Sequence, residues 1–240
     1  MAKEHARQKP AVNMPQDDDR TLIVGRTGSG KSVAGLFHLS RANFHEMPWV
    51  IIDSKGEKSF GQIRGAVDID MQSVPSRPGI YILRPMPDER DEIEQWLWKV
   101  HAQERVGLYV DEGYMIAPQR PASAAFRAIL TQGRSKRIPV IINTQRPKWL
   151  EPFAISEATF YQVFHLNDRR DRQRVQEFID KDRIDLDRRL PDYSSVYHDV
   201  KADKTIILGP VRSAEQSILQ IDKRLDAINR TTNTAVRRAI

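Results

Sequence analysis

The chain has 240 residues, 40% of them hydrophobic and 29% charged, with 38 Lys and Arg against 32 Asp and Glu. That length holds one large α/β domain or two small ones, and the composition excludes a disordered chain. The absence of cysteine excludes disulfides, thiolate-bound metals, iron–sulfur clusters and thiol nucleophiles, while a net charge of +6 admits a polyanionic partner.

Residues 1–19 are polar and end in Asp17-Asp18-Asp19, the composition of a loosely held N-terminal arm. Met1 to Arg20 lack the apolar core of a signal peptide. No apolar run approaches the ~20 residues of a membrane span, so an unsecreted protein without an intrinsic span is expected. Leu22-Ile23-Val24 is a short apolar run of the kind that forms a strand buried on both faces. It leads through a Gly-rich turn into a helix from Lys31 to about Asn43. Trp49 to Ile52 forms a second buried strand ending at Asp53.

Further strands are expected at Ile80–Leu83, Leu108–Val110, Val140–Ile142, Phe160–Phe164 and Thr205–Leu208. Helical patterns lie between them. From Asp88 to Glu104, Ile93, Trp96, Leu97 and Val100 form one apolar stripe. Pro121 to about Gln132 and Asp168 to about Ile179 read similarly. Ser213 to Asn229 predicts a last amphipathic helix, followed by a short basic tail. Alternating strands and helices imply an α/β fold, a mainly parallel, doubly wound sheet flanked by helices, with its ligand at the carboxyl ends of the strands. The expected division is an arm (1–19), a central α/β domain that holds the Gly-rich turn (20–212) and a C-terminal helix with its tail (213–240).

The Gly-rich turn carries the chemistry. Gly25-Arg26-Thr27-Gly28-Ser29-Gly30-Lys31-Ser32 matches G-x-x-x-x-G-K-[ST], which average composition would produce in about 1% of chains this long. Glycines let successive backbone N–H groups turn inward on phosphate oxygens. The first helical residues, through Val33, add free N–H groups and the positive end of the helix dipole. Lys31 is placed to reach the β- and γ-phosphates of ATP and Ser32 to hold Mg²⁺. The buried strand before the loop and the helix after it are the context the motif requires.

Such a loop needs a carboxylate at the end of a neighbouring strand. Leu108-Tyr109-Val110-Asp111-Glu112 supplies two, Asp111 for the Mg²⁺ shell and Glu112 as the general base for water. Asp53 is the rival for the metal role.

From Gly113 to Leu150 there is no acidic residue. Arg120, Arg127, Lys136 and Arg137 are candidates for contact with nucleic-acid phosphates, and one arginine of the stretch for an arginine finger acting on a neighbour's γ-phosphate. A plain solvated basic face is the other reading. Gln145, at the end of the strand Val140-Ile141-Ile142, is a candidate γ-phosphate sensor.

These motifs, in this order, resemble the HerA–FtsK branch of P-loop motor ATPases. The resemblance rests on Gly25–Ser32, Asp53-Ser54-Lys55-Gly56-Glu57, Tyr109-Val110-Asp111-Glu112, and Thr131-Gln132-Gly133-Arg134-Ser135 leading to Asn143-Thr144-Gln145-Arg146-Pro147. The segment from residue 20 to about 150 carries it. It implies a RecA-like fold and a hexameric ring that moves double-stranded DNA by ATP hydrolysis. Glu112 is then the catalytic glutamate, Gln145 the sensor, and Arg134, with Arg137 as second choice, the arginine acting in trans.

Without a membrane span or an N-terminal barrel, the chain looks most like the genome-packaging ATPases of tailless double-stranded DNA viruses with internal membranes. That implies capsid or portal-vertex proteins as candidate partners and a place in the host cytoplasm or virion. A DNA-processing or conjugation-type motor, and an ATPase energising protein export or virion assembly, remain the alternatives. Ser54 stands where the family more often has proline. The six histidines show no zinc spacing, Trp98 falls off its helix's apolar stripe toward a possible neighbouring subunit, and Asp168 to Arg189 reads as a solvated helical face.

Overall fold

A computed structural model describes residues 12–179, 185–186 and 190–238, with the backbone alone for 231–238. Its centre is a nine-stranded sheet made of β1 (Arg20–Val24), β2 (Pro48–Asp53), β3 (Val67–Ile69), β4 (Gly79–Leu83), β5 (Gly107–Asp111), β6 (Val140–Thr144), β7 (Phe160–Val163), β8 (Ser195–Asp199) and β9 (Lys204–Leu208). The spatial order is β3-β4-β2-β5-β6-β1-β7-β8-β9. Pairs from β3 through β7 are parallel, and β8 and β9 add an antiparallel edge.

The described residues also form seven α-helices: α1 (Lys31–Arg41), α2 (Arg90–Gln103), α3 (Gly113–Ile116), α4 (Ala124–Gln132), α5 (Pro152–Ser156), α6 (Arg169–Gln176) and α7 (Ala214–Arg238). Alternation along each strand divides the core between two layers. On β1, Leu22 and Val24 pack with Trp96, Leu97, Phe126, Ile155 and Val175 of α2, α4, α5 and α6. Ile23 points the other way, among Leu36 and Leu39 of α1 and Ile218, Ile221 and Leu225 of α7. The Ile93, Trp96, Leu97 and Val100 stripe of α2 is buried as its spacing predicts, and Trp98 is 43% exposed.

Two strands were not expected. β3 is a short, exposed edge segment. β8 reads Ser-Val-Tyr-His-Asp, yet all five residues are buried, because β7 and β9 cover both its edges. Its polar groups find partners there. Ser195 Oγ accepts from Gln162 Nε2 at 3.0 Å, and Asp199 accepts from Asn13 Nδ2 at 2.8 Å.

That last bond corrects the expectation of a loose arm, for the part from residue 12 onward. The Tyr197 hydroxyl donates to the Asn13 carbonyl at 2.9 Å. Asp19 is 3% exposed and accepts from Lys201 Nζ at 2.6 Å and Thr159 Oγ1 at 3.2 Å. Residues 1–11 lie outside the described residues. At the other end, α7 docks on its own chain. Asp222 accepts from the backbone N–H of Arg64 at 3.0 Å, and Arg224 donates to the Ser40 carbonyl at 2.6 Å with its guanidinium 4.1 Å from the Phe44 ring centre.

β6 lies between β1 and β5, so the Gly-rich loop and the Asp111–Glu112 pair are separated by the strand that delivers Gln145. α1 sits tightly on that part of the sheet. A Cβ at Gly35 would collide with the Tyr109 hydroxyl and the Asn143 amide, groups that are joined by an Asn143-to-Tyr109 hydrogen bond of 2.6 Å.

Candidate active site

The turn from β1 into α1 has the backbone its sequence demands. Gly28 and Gly30 have φ of 75° and 99°, left-handed values that L side chains resist. Arg26, Thr27 and Gly28 are exposed, Ser32 and Val33 half-buried, and Gly25 and Ser29 buried. The Ser29 hydroxyl is buried with no hydrogen-bond partner among the described residues. Lys31 is buried at the start of α1. Burial pushes its pKa down, opposed mainly by the negative charge of Glu112, with Lys55 adding to the depression.

Parallel register brings the acids into the same neighbourhood. Asp53 and Asp111 are paired positions at the ends of β2 and β5. The Asp53 carboxylate is committed to structure: it accepts from the Glu57 N–H at 2.9 Å and from Arg84 Nε at 3.2 Å. Among the described residues the Asp111 carboxylate makes neither kind of contact. Burial raises its pKa to about 6, against the lowering pull of Lys55 and then Lys31. A buried, reluctant carboxylate facing lysines fits a site completed by a cation. With the half-buried Ser32 hydroxyl, Asp111 can take the shell of a magnesium ion; Asp53 is not free to.

Glu112 is the most constrained residue of the site. Its φ is 58°, it is 1% exposed, and its carboxylate accepts from the Gln145 N–H at 2.9 Å, Gln145 Nε2 at 3.0 Å and Thr144 Oγ1 at 3.2 Å. Lys55 Nζ forms an ion pair with the same carboxylate. The Gln145 amide extends the chain of contacts, since its Oε1 accepts from Thr27 Oγ1 at 2.6 Å. The loop, the strand-end amide and the buried glutamate are therefore one hydrogen-bonded unit. Sequence reading found Glu112, Gln145 and Thr27 but assigned nothing to Lys55 or Thr144. The signal for Lys55 was its position just after Asp53, on the strand that flanks Asp111.

The other sequence candidates lie elsewhere. Arg134, Lys136 and Arg137 precede β6, at the amino ends of the strands, a strand length of about 16 Å from the loop. Arg134 Nε donates to Asp18 at 3.1 Å, Arg137 pairs with Asp17 at 3.8 Å, and Lys136 donates to Glu104 at 2.7 Å. Arg127 pairs with the buried Glu151 at 2.8 Å. Arg120 lines an aromatic cleft with Tyr114 and Trp149. The acid-free stretch of sequence is thus answered in space by acids from other segments. Arg146 is answered likewise by Asp168 at 3.0 Å and Asp171 at 3.4 Å.

Among the described residues no cluster of His, Asp and Glu is arranged to hold a metal by itself, and none of the helices is long and apolar enough to cross a membrane.

No family model matches the chain. It is 44% identical over 222 residues to the DNA packaging ATPase P9 of Enterobacteria phage PRD1, covering 88% of this chain and 95% of that protein. Among solved structures, it is similar in fold to the genome packaging NTPase B204 of Sulfolobus turreted icosahedral virus 2 in complex with ATP-gammaS. That match has a TM-score of 0.68 and 18% identity over 82% of this chain and all of the other. It is also similar to EssC (ATPases 2 and 3) of Geobacillus thermodenitrificans, with a TM-score of 0.59 and 13% identity, over 90% of this chain and 45% of that one. The Gly-rich loop, its paired acids and the extent of the phage match together identify the chain as a member of the viral genome-packaging P-loop ATPases.

Proposed function

We propose that this protein is an oligomeric motor that couples ATP hydrolysis to the movement of double-stranded DNA into a viral capsid. The observation that carries it is the single unit formed by Thr27, Gln145 and Glu112, which joins the phosphate loop to the general base. Main-chain N–H groups of Gly25–Ser32 and Val33 grip the triphosphate, and Lys31 meets its β- and γ-oxygens. Ser32 and Asp111 hold Mg²⁺, which supplies charge neutralisation when bound.

Glu112 takes a proton from water as the water oxygen bonds to the γ-phosphorus. The bond to the β,γ-bridging oxygen then breaks, leaving ADP and phosphate. Lys55 is a positioning residue that restrains the Glu112 carboxylate before nucleotide arrives. The sensor is Gln145, whose Nε2 donates to Glu112 without nucleotide and must turn to donate to a γ-phosphate oxygen, so that occupancy is reported directly to Glu112.

The expected assembly is a ring of six subunits, as the resemblance implies. Arg134, at the far end of the sheet from its own loop, is our candidate for the arginine that acts on a neighbour's γ-phosphate. Capsid or portal-vertex proteins are the remaining partners of this reading, in the infected cell's cytoplasm or the virion. Turnover measured with long duplex DNA tests it. ATPase activity should rise with DNA and fall steeply with salt. Turnover indifferent to DNA but raised by a protein partner would replace the DNA motor with an export or assembly ATPase.

A further inference from the structure

The contacts that engage Glu112 and Gln145 all lie on the β6 side of the loop. A triphosphate with its γ-end there must carry its nucleoside out on the other flank, over β7, which pairs with β1 on that side. A cleft of about 430 Å³ lies there, lined by Arg26 and Ser29 of the loop, His165 after β7, and Asp192, Tyr193 and Ser194 before β8. That volume is in the roughly 300–1,000 Å³ range of small-ligand clefts. It is a different space from the acid-lined side and is not used by the chemistry described above.

Three features mark this cleft as built for a flat ring. Tyr193 is 60% exposed, an aromatic side chain held out at the mouth of a polar cleft. Its φ is 58°, a left-handed value that is an outlier for a bulky residue. The ring also stands against the phosphate loop: a Cβ at Gly30 would lie 3.4 Å from Tyr193 Cδ1 and 3.5 Å from the Phe164 ring. Ser29 lines the same space, and its buried hydroxyl, tucked over Gly25, has no hydrogen-bond partner among the described residues. Beside the ring, the Asp192 carboxylate is an acceptor for an exocyclic amino group.

We propose that Tyr193 is the stacking platform for the purine base of the nucleotide, with Asp192 accepting from its amino group. The assignment rests on reading Gly25–Ser32 as the triphosphate cradle, and adds the contact by which this chain distinguishes a nucleotide from a bare triphosphate. Both aromatic faces are apolar, so stacking removes them from water while the phenol oxygen stays wet. A purine covers more of the ring than a pyrimidine does.

Calorimetric titration of the full chain in Mg²⁺ with ATP and, separately, inorganic tripolyphosphate tests the assignment. The wild-type protein should bind ATP at least about tenfold more tightly than tripolyphosphate, the scale of one base–aromatic stack. Tyr193→Ala should lose that difference while keeping the wild-type affinity for tripolyphosphate, and Tyr193→Phe should retain it. Tyr193→Ala binding ATP as the wild type does overturns the proposal. So does an equal loss for both ligands, which would make Tyr193 a support of the loop. Wild-type protein that binds neither ligand overturns the cradle itself, and with it this inference. Tripolyphosphate binding that survives with no preference for ATP leaves the cradle standing and removes only the base platform.

Discussion

The two ends of the central sheet carry the same kinds of charged side chain and treat them in opposite ways. At the amino ends, Arg134, Lys136 and Arg137 meet Asp18, Glu104 and Asp17 in ion pairs that remain open to water, where each contributes little. At the carboxyl ends, Lys31, Asp111 and Glu112 are buried, and water no longer screens them. Burial there raises the Asp111 pKa to about 6 and lowers that of Lys31. Charges that are out of water and incompletely matched are poised to accept an anion and its cation. Charges that are paired and wet can exchange partners at little cost.

Variants at the two ends should therefore fail differently. The largest effect belongs to Glu112→Gln, which should lower turnover by about 10⁴-fold while ATP still binds. Retention of appreciable turnover would move the general base elsewhere. Arg134→Ala should cost about 10³-fold, and mixing it with the Glu112→Gln variant should restore part of the activity, since each subunit supplies what the other lacks. Without such complementation the arginine does not act between subunits; full activity of Arg134→Ala alone transfers the role to Arg137.

Smaller effects sharpen the electrostatic side. Since burial raises the Asp111 pKa, the folded protein without nucleotide favours its protonated form. The stability this group gives is full below its ordinary pKa of 3.8 and is lost as pH rises through about 6. Thermal unfolding of Asp111→Asn should be flatter across that window than that of the wild type, and Lys55→Ala should move the upper limit of the window to higher pH. Gly35→Ala should destabilise by roughly 1–3 kcal/mol in denaturant titration, because Tyr109 and Asn143 must move.

The smallest effect is at Arg127, whose partner Glu151 is buried. Arg127→Ala should cost about 1 kcal/mol of stability without changing the salt dependence of DNA stimulation. Arg120→Ala should instead reduce that slope by about one. The reverse result would place DNA on α4.

What the sequence disclosed is what lies within a few residues along the chain. The loop, its helix and the Asp111–Glu112 pair are each contiguous, and their periodicity and spacing were legible. The contacts that complete the site were not, because they join distant segments. Lys55 reaches Glu112 across 57 positions and Thr27 reaches Gln145 across 118. Charge counted along the chain missed the ion pairs for the same reason. A stretch without acids looked like an open basic face, but Asp18 lies 116 positions from Arg134. β8 escaped because Ser195, His198 and Asp199 break the apolar pattern while neighbouring strands supply their partners.

The attachment of α7 to α1 has a mechanical meaning. The Gly-rich loop is continuous with one end of α1, and near the other end of that helix Arg224 clasps the Ser40 carbonyl. The 25 residues of α7 make a rod of about 37 Å, seated on the core by its first half. Any tilt of α1 is carried into α7 through that clasp, and a rod of that length displaces its far part more than its seat.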